Sequence, residues 1–357
     1  MKYALIGCGR IAKNHVAAAI SNSQEIEIAA LCDTMPEHAQ RYIDEYGLKC
    51  PIYTDYRKLL EEIRPDFVAI ATESGKHAAI ALDCIKAGVN VLIEKPIALS
   101  VADAQAILDA AKAAGVTVGV CHQNRFNKAV QKLRQAFDEG RFGPIYNVSA
   151  VIRWNRDEGY YKQAPWRGTW EQDGGCLMNQ CIHNIDLLRW FGGEVSSVFG
   201  VTNNFCHPYI QGEDFGTAII RFANGASGTL EGTVNVYPRN MEETLTIFGE
   251  RGTAKLGGHS VNTILEWSFA DKKDNLESVQ REFTEDPPDI YGFGHTPLYA
   301  DFITAITEKR KPYVTAEDGK SAMEMVLAIY QSSKEKMETA LPLRDCSSLD
   351  FTGLFGR

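Results

Sequence analysis

Short apolar runs alternate with longer amphipathic stretches along the first third of the chain. The apolar runs predict strands, and the stretches between them predict helices, because their apolar residues recur at helical spacing. The predicted strands cover residues 3–6, 25–32, 66–72, 90–96 and 116–122, and the predicted helices cover residues 10–20, 35–47, 76–88 and 101–115. Since these strands are apolar on both faces, the pattern predicts an α/β unit, a doubly wound parallel sheet of the Rossmann type covered by helices on both sides.

After about residue 123 the pattern changes to longer alternating stretches separated by turn residues. Such alternation is typical of strands that bury one face. We predict strands over 145–154, 195–205, 215–222, 226–236 and 243–249, and helices over 126–138, 175–191, 297–308 and 317–338. These elements predict an α+β domain with an open, largely antiparallel sheet. We therefore place a Rossmann domain at 1–122 and an α+β domain at 123–357.

Two further expectations concern the second domain. The polar stretch over 269–289 is predicted to be an exposed connection. Helices cover only one face of the predicted sheet, and the other face also needs a cover. We therefore expect that face to be an interface between identical subunits.

Composition narrows the class of protein. The 357 residues carry a net charge of -9, so a broad basic surface for nucleic acid is not expected. The nine cysteines are scattered and odd in number, which indicates reduced thiols in a cytoplasmic protein. The chain opens directly into a predicted strand, so we expect no signal peptide. No apolar run reaches about 18 residues, so we expect no membrane span.

A glycine loop follows the first predicted strand. Gly7, Gly9 and Ala12 form the pattern G-x-G-x-x-A at a strand-to-helix junction, where backbone N–H groups can hold a pyrophosphate. Asp33 ends the second predicted strand, 24 residues after Gly9 and close to the expected spacing of about 20. Its carboxylate can bind ribose hydroxyls and would repel a 2′-phosphate. The loop therefore predicts a dinucleotide site that prefers NAD to NADP.

Two further sets of residues carry candidate chemistry. Glu94, Lys95 and Pro96 follow a predicted strand at the sheet edge where α/β proteins bind ligands, although lysine is ordinarily a solvated surface residue. Asn179 and His183 are four residues apart, so on one continuous helix both would face the same side.

Together these motifs resemble those of the Gfo/Idh/MocA oxidoreductases. The segments ALIGCGRIA, ATESGKHA and EKP, together with Asp33 and the Gly-Gly…His-x-x-Asp helix, occur in the family's order along the whole chain. The resemblance implies a Rossmann domain, an open-sheet domain and hydride transfer between NAD and a sugar or cyclitol. It also implies that Lys95 binds the substrate and takes part in proton transfer, and that His183 is the family's active-site histidine. Glu73 stands where the family often has proline, which bears on the rigidity of that loop.

We also predict a cofactor site, to which the resemblance contributes the loop residues Thr72, Ser74 and His77. Its expected members are Gly7, Gly9, Arg10, Ile11, Asp33, Thr72, Ser74, His77, Glu94, Lys95, Gln123, Trp166 and Arg167. We expect the substrate to contact Lys95, Asn124, Arg125, Arg153, Asn179 and His183. Further candidates for an anionic sugar are Gln123, Arg156, Trp166 and Arg167, because arginine pairs well with carboxylate or phosphate. A solvated role for each arginine and a core role for Trp166 stay open. His295 lies in a glycine-rich loop before a predicted helix, where a role in the site, in capping or in the core is open.

Asn179 departs from the aspartate that many family members carry at this position. A neutral amide cannot serve as a base, so we expect Asn179 to orient the reacting hydroxyl. The segments WRGTWEQDGGCLMNQCIHNIDLLRW and NMEETLTIFGERGTAKLGG resemble one branch of the family more closely. Members of that branch oxidise the 3-hydroxyl of UDP-N-acetylglucosaminuronic acid in surface-polysaccharide synthesis and carry asparagine here.

The implied reaction leaves several alternatives open. Either His183 or Lys95 could accept the hydroxyl proton while the other stabilises the alkoxide. We expect the two side chains to act on the same bound substrate. Three other functions stay open: another sugar or inositol dehydrogenase, a glycosidase that oxidises C3 transiently with tightly held NAD, and a nonenzymatic NAD-dependent regulator. The intact pair of Lys95 and His183 speaks against the regulator. Cys176, Cys181 and His183 match no familiar zinc spacing, so we expect no metal.

Overall fold

The computed structural model describes residues 1–287 and 291–356. The chain forms two compact units, the first from residues 1–122 and 295–320 and the second from residues 123–294 and from 321 onward. The segment 295–320 was predicted to belong to a continuous domain over 123–357. It joins the first unit instead, because the helix that begins at His295 packs against the first helix of the chain.

The first unit contains six strands and six complete helices. Its strands are β1 (Lys2–Ile6), β2 (Glu27–Cys32), β3 (Ile52–Tyr53), β4 (Phe67–Ile70), β5 (Asn90–Ile93) and β6 (Val118–Val120). Its helices are α1 (Ala12–Ser21), α2 (Pro36–Tyr46), α3 (Tyr56–Ile63), α4 (His77–Lys86), α5 (Val101–Ala114) and α11 (His295–Glu308). All neighbouring strands are parallel, in the order β3-β2-β1-β4-β5-β6. This arrangement confirms the predicted Rossmann sheet and adds β3 and α3.

The second unit is built on an eight-stranded sheet. Its strands are β7 (Ile145–Arg153), β8 (Val195–Asn203), β9 (Phe215–Phe222), β10 (Ser227–Thr233), β11 (Glu242–Gly249), β12 (Gly252–Gly257), β13 (Thr263–Phe269) and β14 (Thr339–Ala340). Its helices are α6 (Lys128–Asp138), α7 (Glu158–Lys162), α8 (Cys176–Asn179), α9 (Ile182–Gly192) and α10 (Leu276–Phe283), while α12 (Ala316–Glu335) contributes its residues from 321 onward.

The large sheet is antiparallel except at its centre, where β7 and β10 run parallel. Helices α8 and α9 pack against one face of β7, β9, β10 and β11. The opposite face presents Phe199, Val201, Ile219 and Phe248, all at least 40% exposed. The predicted open sheet with one helix-covered face is therefore confirmed.

The stretch over 269–289 differs from the exposed connection that the sequence predicts. Asn275 caps α10, which packs against β13 and buries Val279 at 2% exposure. The sequence still shows the amphipathic spacing of this helix, which the prediction passed over because so many of its residues are charged. Residues 288 and 289 lie outside the part of the chain that the structure describes.

We also searched the described residues for a membrane-spanning helix. Within 1–287 and 291–356, no helix combines the length and apolar character needed to cross a bilayer.

Candidate active site

The glycine loop joins β1 to α1 in the first unit. Gly7 has φ of 95°, and a Cβ there would lie 2.5 Å from the backbone carbon of Ala71, so glycine is required. A Cβ at Gly9 would meet nothing within 4 Å. Gly9 precedes α1 by three residues, and the first N–H groups of a helix have no partner within the helix. The loop therefore fits the pyrophosphate of a dinucleotide, with Arg10 and Ile11 between Gly9 and the helix.

Asp33 follows β2 beside this loop. Its two carboxylate oxygens accept hydrogen bonds from the backbone N–H of Cys8 at 2.8 Å and of Met35 at 2.9 Å. Arg41 and Tyr42 brace the same loop by donating to the carbonyl oxygen of Gly9 at 3.3 and 2.7 Å. These two residues on α2 are missed by sequence reasoning, because nothing in their local pattern points to a loop 32 residues away.

Replacing Asp33 should alter the choice between the two nicotinamide dinucleotides. We expect Asp33→Ser to lower the ratio of the Kd for NADPH to the Kd for NADH by about 10- to 100-fold, because hydrogen bonds to a charged group contribute about 1.5–3 kcal/mol. Quenching of protein fluorescence by each dinucleotide measures both constants. Asp33→Asn is the matched control, since it removes the charge but keeps an acceptor oxygen for the loop. An unchanged ratio in both variants would remove Asp33 from the cofactor site.

The loop after β4 is tied to the segment after β5 by a buried histidine. His77 Nδ1 lies 2.7 Å from the carbonyl oxygen of Pro96, and its Nε2 lies 3.1 Å from that of Thr72. The ring is only 1% exposed. His77 therefore supports the backbone of two loops, whereas the sequence predicts that it contacts the cofactor itself. Ser74, another predicted cofactor residue, is also buried here.

Glu94 and Lys95 follow β5 directly. Glu94 is 5% exposed, and its Oε2 accepts a hydrogen bond from the backbone N–H of Lys95 at 3.1 Å. Lys95 itself is half-buried. Glu94 thus lies in the interior of the first unit and contacts protein groups there, whereas the sequence predicts that it contacts the cofactor.

In the second unit, the predicted helix over 175–191 is two helices rather than one. α8 ends at Asn179 and α9 begins at Ile182, because the chain between them changes its hydrogen-bond pattern. The N–H of Cys181 bonds to the carbonyl of Cys176, five residues back, and that of Asn184 bonds to the carbonyl of Cys181, three residues back. Asn179 and His183 are therefore on different helices, and the one-turn spacing is not what relates them.

Asn179 is held by an acid that sequence reasoning overlooked. Its Nδ2 donates to Asp173 Oδ1, and its Oδ1 accepts from Gln180 Nε2 at 2.7 Å. Asp173 is 4% exposed, and its Oδ2 accepts from the N–H of Gly168 at 2.6 Å. Asp173, Asn179 and Gln180 share a small pocket with Tyr161. The family's frequent aspartate is absent at 179, yet a carboxylate fixes the amide of Asn179 from six residues upstream.

Around Gln180 lies a set of residues that we call the arginine–tyrosine cluster: Arg156, Tyr160, Arg167 and Gln180. The Tyr160 hydroxyl accepts from Gln180 Nε2 at 2.9 Å and from Arg167 Nη1 at 2.5 Å. Arg156 Nε donates to Gln180 Oε1 at 2.8 Å. Both guanidinium carbons lie over the Tyr160 ring, at 5.2 Å for Arg156 and 4.3 Å for Arg167. Two cations are thereby gathered beside Asn179.

The remaining predicted residues of the second unit have partners of their own. Gln123 Nε2 is 3.4 Å from Nε2 of the half-buried His183. Trp166 is half-buried, with the Arg167 guanidinium 4.6 Å from its ring. Asn124 is 3% exposed. The thiols of Cys176 and Cys181 are free and buried.

Two arginines predicted to bind substrate have internal partners instead. Arg125 is 1% exposed and forms a bidentate pair with Asp186, with Nε–Oδ2 at 2.7 Å and Nη2–Oδ1 at 2.6 Å. Arg153 follows the buried Ile152 on β7 and therefore faces the open side of the sheet, away from α8 and α9. There it bonds to Glu231 and Glu242, each at 2.6 Å. The contacts seen for both arginines are therefore with acids of the protein, and their assignment to the substrate site stays a prediction.

A buried carboxyl anchors the start of α8. Glu213 Oε1 accepts from the N–H of Leu177 at 2.6 Å and from the Tyr330 hydroxyl at 2.7 Å. Gly175 has φ of 95°, and a Cβ there would clash with Glu213 Oε2. Burial raises the pKa of Glu213 to about 8, although these two donors favour the charged form. Glu213 therefore fixes the helix that ends at Asn179.

Glu213 should make stability depend on pH. Its folded pKa of about 8 exceeds the unfolded value of about 4.3, so unfolding releases a proton and stability falls as pH rises between these values. Between pH 5 and 8.5, we expect the free energy of unfolding to fall by about 2–5 kcal/mol less in Glu213→Gln than in the native protein. The glutamine oxygen still accepts from the N–H of Leu177. Urea unfolding of native and variant protein at pH 5 and 8.5 measures the difference. Parallel pH dependence in the two proteins would contradict it, because Glu243, whose pKa is also raised to about 8, is present in both.

Comparisons with known proteins agree with this arrangement. The model of an oxidoreductase family with an NAD-binding Rossmann fold matches residues 1–122, and the model of the GFO/IDH/MocA C-terminal domain matches residues 130–255. The WlbA dehydrogenase of Bordetella pertussis, solved with NADH and UDP-GlcNAcA, is 36% identical to this chain. The match covers 96% of this chain and 98% of that one, with a TM-score of 0.89.

Two curated relatives extend the comparison to other substrates. Myo-inositol 2-dehydrogenase of Thermotoga maritima is 25% identical over 354 residues, covering 96% of this chain and 98% of the relative. D-glucoside 3-dehydrogenase of Escherichia coli is 26% identical over 353 residues, covering 94% and 95% respectively.

Proposed function

The chain belongs to the GFO/IDH/MocA family of NAD-dependent oxidoreductases, which includes sugar and inositol dehydrogenases, and from this premise we propose that it oxidises C3 of UDP-N-acetylglucosaminuronic acid. The observation that carries the proposal is the arginine–tyrosine cluster beside Asn179. The half-buried Arg167 guanidinium offers its charge to an anionic sugar, and the buried Arg156, held by Gln180, adds to the positive potential there, whereas a neutral cyclitol has no charge for either to pair. The 36% identity to a dehydrogenase solved with UDP-GlcNAcA supports the same substrate.

The chain's own groups would manage the hydroxyl proton. Bound NAD supplies the hydride acceptor. An imidazole can accept a proton around neutrality, which suits His183. An ammonium group stabilises a developing alkoxide, which suits Lys95, although the two roles could be exchanged. Asn179, fixed by Asp173 and Gln180, would orient the hydroxyl.

The test compares three substrates under one condition. Purified protein with NAD should form NADH with UDP-N-acetylglucosaminuronate, and a 2-oxo acid should be added in a parallel assay in case the cofactor stays bound and is recycled. We expect kcat/KM at least about 10-fold lower for UDP-N-acetylglucosamine, which lacks the carboxylate, and lower still for myo-inositol. Equal or greater activity with myo-inositol would overturn the substrate assignment. Release of a phenol from an aryl N-acetylglucosaminide without net NADH would indicate the glycosidase reaction instead.

We further propose that the open face of the large sheet pairs with a second copy of the chain. Phe199 and Ile219 are cross-strand neighbours on that face, at 43% and 59% exposure. Exposed apolar patches of this kind mark interaction sites. Light scattering of the purified protein gives its subunit number.

All nine cysteines are free, which supports a place in the reducing cytoplasm.

A further inference from the structure

Glu94 is a buried carboxylate surrounded by two histidines and a backbone N–H. An isolated carboxylate in the protein interior is costly, so it needs several donors to remain ionised. Its Oε1 lies 3.0 Å from His15 Nε2 and 3.5 Å from His295 Nε2, and its Oε2 accepts from the N–H of Lys95. Both histidines are at most 4% exposed. Although burial opposes the charged form, these histidines hold the pKa of Glu94 well below its usual range.

The direction of the hydrogen bonds follows from the donor count. His15 Nδ1 is 2.7 Å from the Tyr299 hydroxyl, which is 2.8 Å from the Tyr3 hydroxyl. Burial lowers the pKa of His15, so its ring is neutral and donates through one nitrogen only. If Nε2–H donates to Glu94, then Nδ1 accepts from Tyr299, and Tyr299 accepts from Tyr3. Every donor in this series of hydrogen bonds, from Tyr3 through Tyr299 to His15, then points toward the Glu94 carboxylate. The other oxygen of that carboxylate accepts from the backbone N–H of Lys95.

The neighbouring residue on the other side of Lys95 is anchored too. Burial lowers the pKa of His77, so its ring donates through one nitrogen, and the shorter contact, 2.7 Å from Nδ1 to the carbonyl oxygen of Pro96, is the one that we assign to its N–H. The backbone around Lys95 is therefore fixed at its own amide by a carboxylate and at the next carbonyl by an imidazole. Two anchors this close to one residue restrict where its side chain begins.

We propose that Glu94 is a positioning residue for Lys95, and that the chain Tyr3–Tyr299–His15 keeps its carboxylate ionised and oriented for that purpose. The inference rests on the proposed function, since it gives Lys95 a part in the reaction. Glu94 acts through the backbone of Lys95 and does not itself touch the substrate.

The same three side chains could instead hold a cation. The ligand atoms of His15, Glu94 and His295 all lie within 4.8 Å of one another, and two histidines with one carboxylate are a familiar zinc set. The hydrogen bonds to Tyr299 and Glu94 engage both nitrogens of His15 without an ion, which supports positioning. Both ring nitrogens of His295 are buried with no hydrogen-bond partner among the described residues, which a cation would also explain. Metal content therefore belongs in the test.

The first measurement is hydrogen exchange at the Lys95 amide, which does not depend on activity. We expect Glu94→Leu to speed this exchange by about 10- to 100-fold, and Glu94→Gln to change it less, because its amide oxygen can still accept from Lys95. Tyr299→Phe should also speed it, by a smaller factor. Tyr56→Phe is the matched control, since its hydroxyl likewise donates to a carboxylate, Asp83, at 2.7 Å.

The second measurement is kinetic. Glu94→Leu should lower kcat by about 10- to 100-fold while leaving the Kd for NADH and the KM for the sugar near native values, with Glu94→Gln restoring part of the rate. Circular dichroism and NADH binding show that each variant is folded. Native exchange and native kcat in Glu94→Leu would overturn the proposal. So would one equivalent of zinc in the native protein that Glu94→Gln loses together with activity.

Lys95→Ala separates failure of this inference from failure of the proposed function. If Lys95→Ala is inactive but Glu94→Leu retains native kcat and native exchange, only the positioning role falls. If Lys95→Ala retains the native rate, the part assigned to Lys95 in the reaction falls first, and the positioning role falls with it.

Discussion

Lys95→Ala and His183→Ala should each lower kcat by a factor on the order of 100 to 10,000, the range typical of lost proton-transfer groups. We expect neither substitution to change the Kd for NADH by more than about threefold, because the proposed cofactor contacts lie mainly in the glycine loop and at Asp33. Stopped-flow formation of NADH with saturating UDP-N-acetylglucosaminuronate measures the rate, and fluorescence titration measures the Kd.

Two exposed residues provide matched controls. Lys58 on α3 and His259 after β12 are both exposed, so Lys58→Ala and His259→Ala remove the same chemical groups elsewhere in the same units. Both should retain native kcat. A native rate in Lys95→Ala or in His183→Ala would withdraw that residue from the mechanism. In whichever of these two variants keeps measurable activity, the pH dependence of kcat then identifies the group that accepts the proton.

The first unit was largely predictable because its signals are local. Each apolar run is a buried strand, and the glycine pattern lies in the same few residues that form the loop. β3 was missed because it has only two residues, which pair with the end of β2. The Glu94 cluster was also out of reach, since His295 lies 201 positions after Glu94 and is brought to it only by the packing of α11.

The second unit shows what local pattern leaves out. The alternation identified β7, β8, β9, β10 and β11 but gave no sign that β7 and β10 pair in parallel, because pairing joins residues about 80 positions apart. The break between α8 and α9 was missed because both helices are apolar on the buried side and the residues between them continue that pattern.

Arginine was the residue type that the sequence resolved least well. Arg125, Arg153 and Arg156 all carried the same expectation of binding an anion. Their different surroundings depend on partners at distant positions: Asp186 for Arg125, and Glu231 with Glu242 for Arg153. Only Arg156 lies beside Gln180 and the candidate site. The charge of a side chain is visible in the sequence, but the acid that neutralises it is not.

Breaking the buried pair between Arg125 and Asp186 should have the largest effect on stability. Asp186 is 0% exposed, and the Arg125 guanidinium also lies 4.7 Å from the Trp190 ring. Asp186→Leu would leave the arginine charged and without its carboxylate in the interior. We therefore expect a loss of about 3–5 kcal/mol in the free energy of unfolding, as for other buried pairs that lose one partner.

A double-mutant cycle tests whether the pair is the cause. Arg125→Met combined with Asp186→Leu removes both charges and should recover most of the loss, giving a coupling free energy above about 2 kcal/mol. Urea unfolding of the four proteins measures it. The control cycle uses Lys162→Met and Glu158→Leu, an exposed pair at 72% and 54% side-chain exposure, where we expect about 0.3–0.5 kcal/mol.

The same cycle distinguishes a structural arginine from one that binds substrate. If Arg125 only anchors the segment before α6 to α9, the folded double variant should keep a KM for UDP-N-acetylglucosaminuronate within about threefold of native, because no contact to the anion has been removed. A KM raised by about tenfold or more in a variant with near-native stability would return Arg125 to the substrate site, since one charged hydrogen bond is worth about that much. The stability and the KM thus respond to different roles of one guanidinium group.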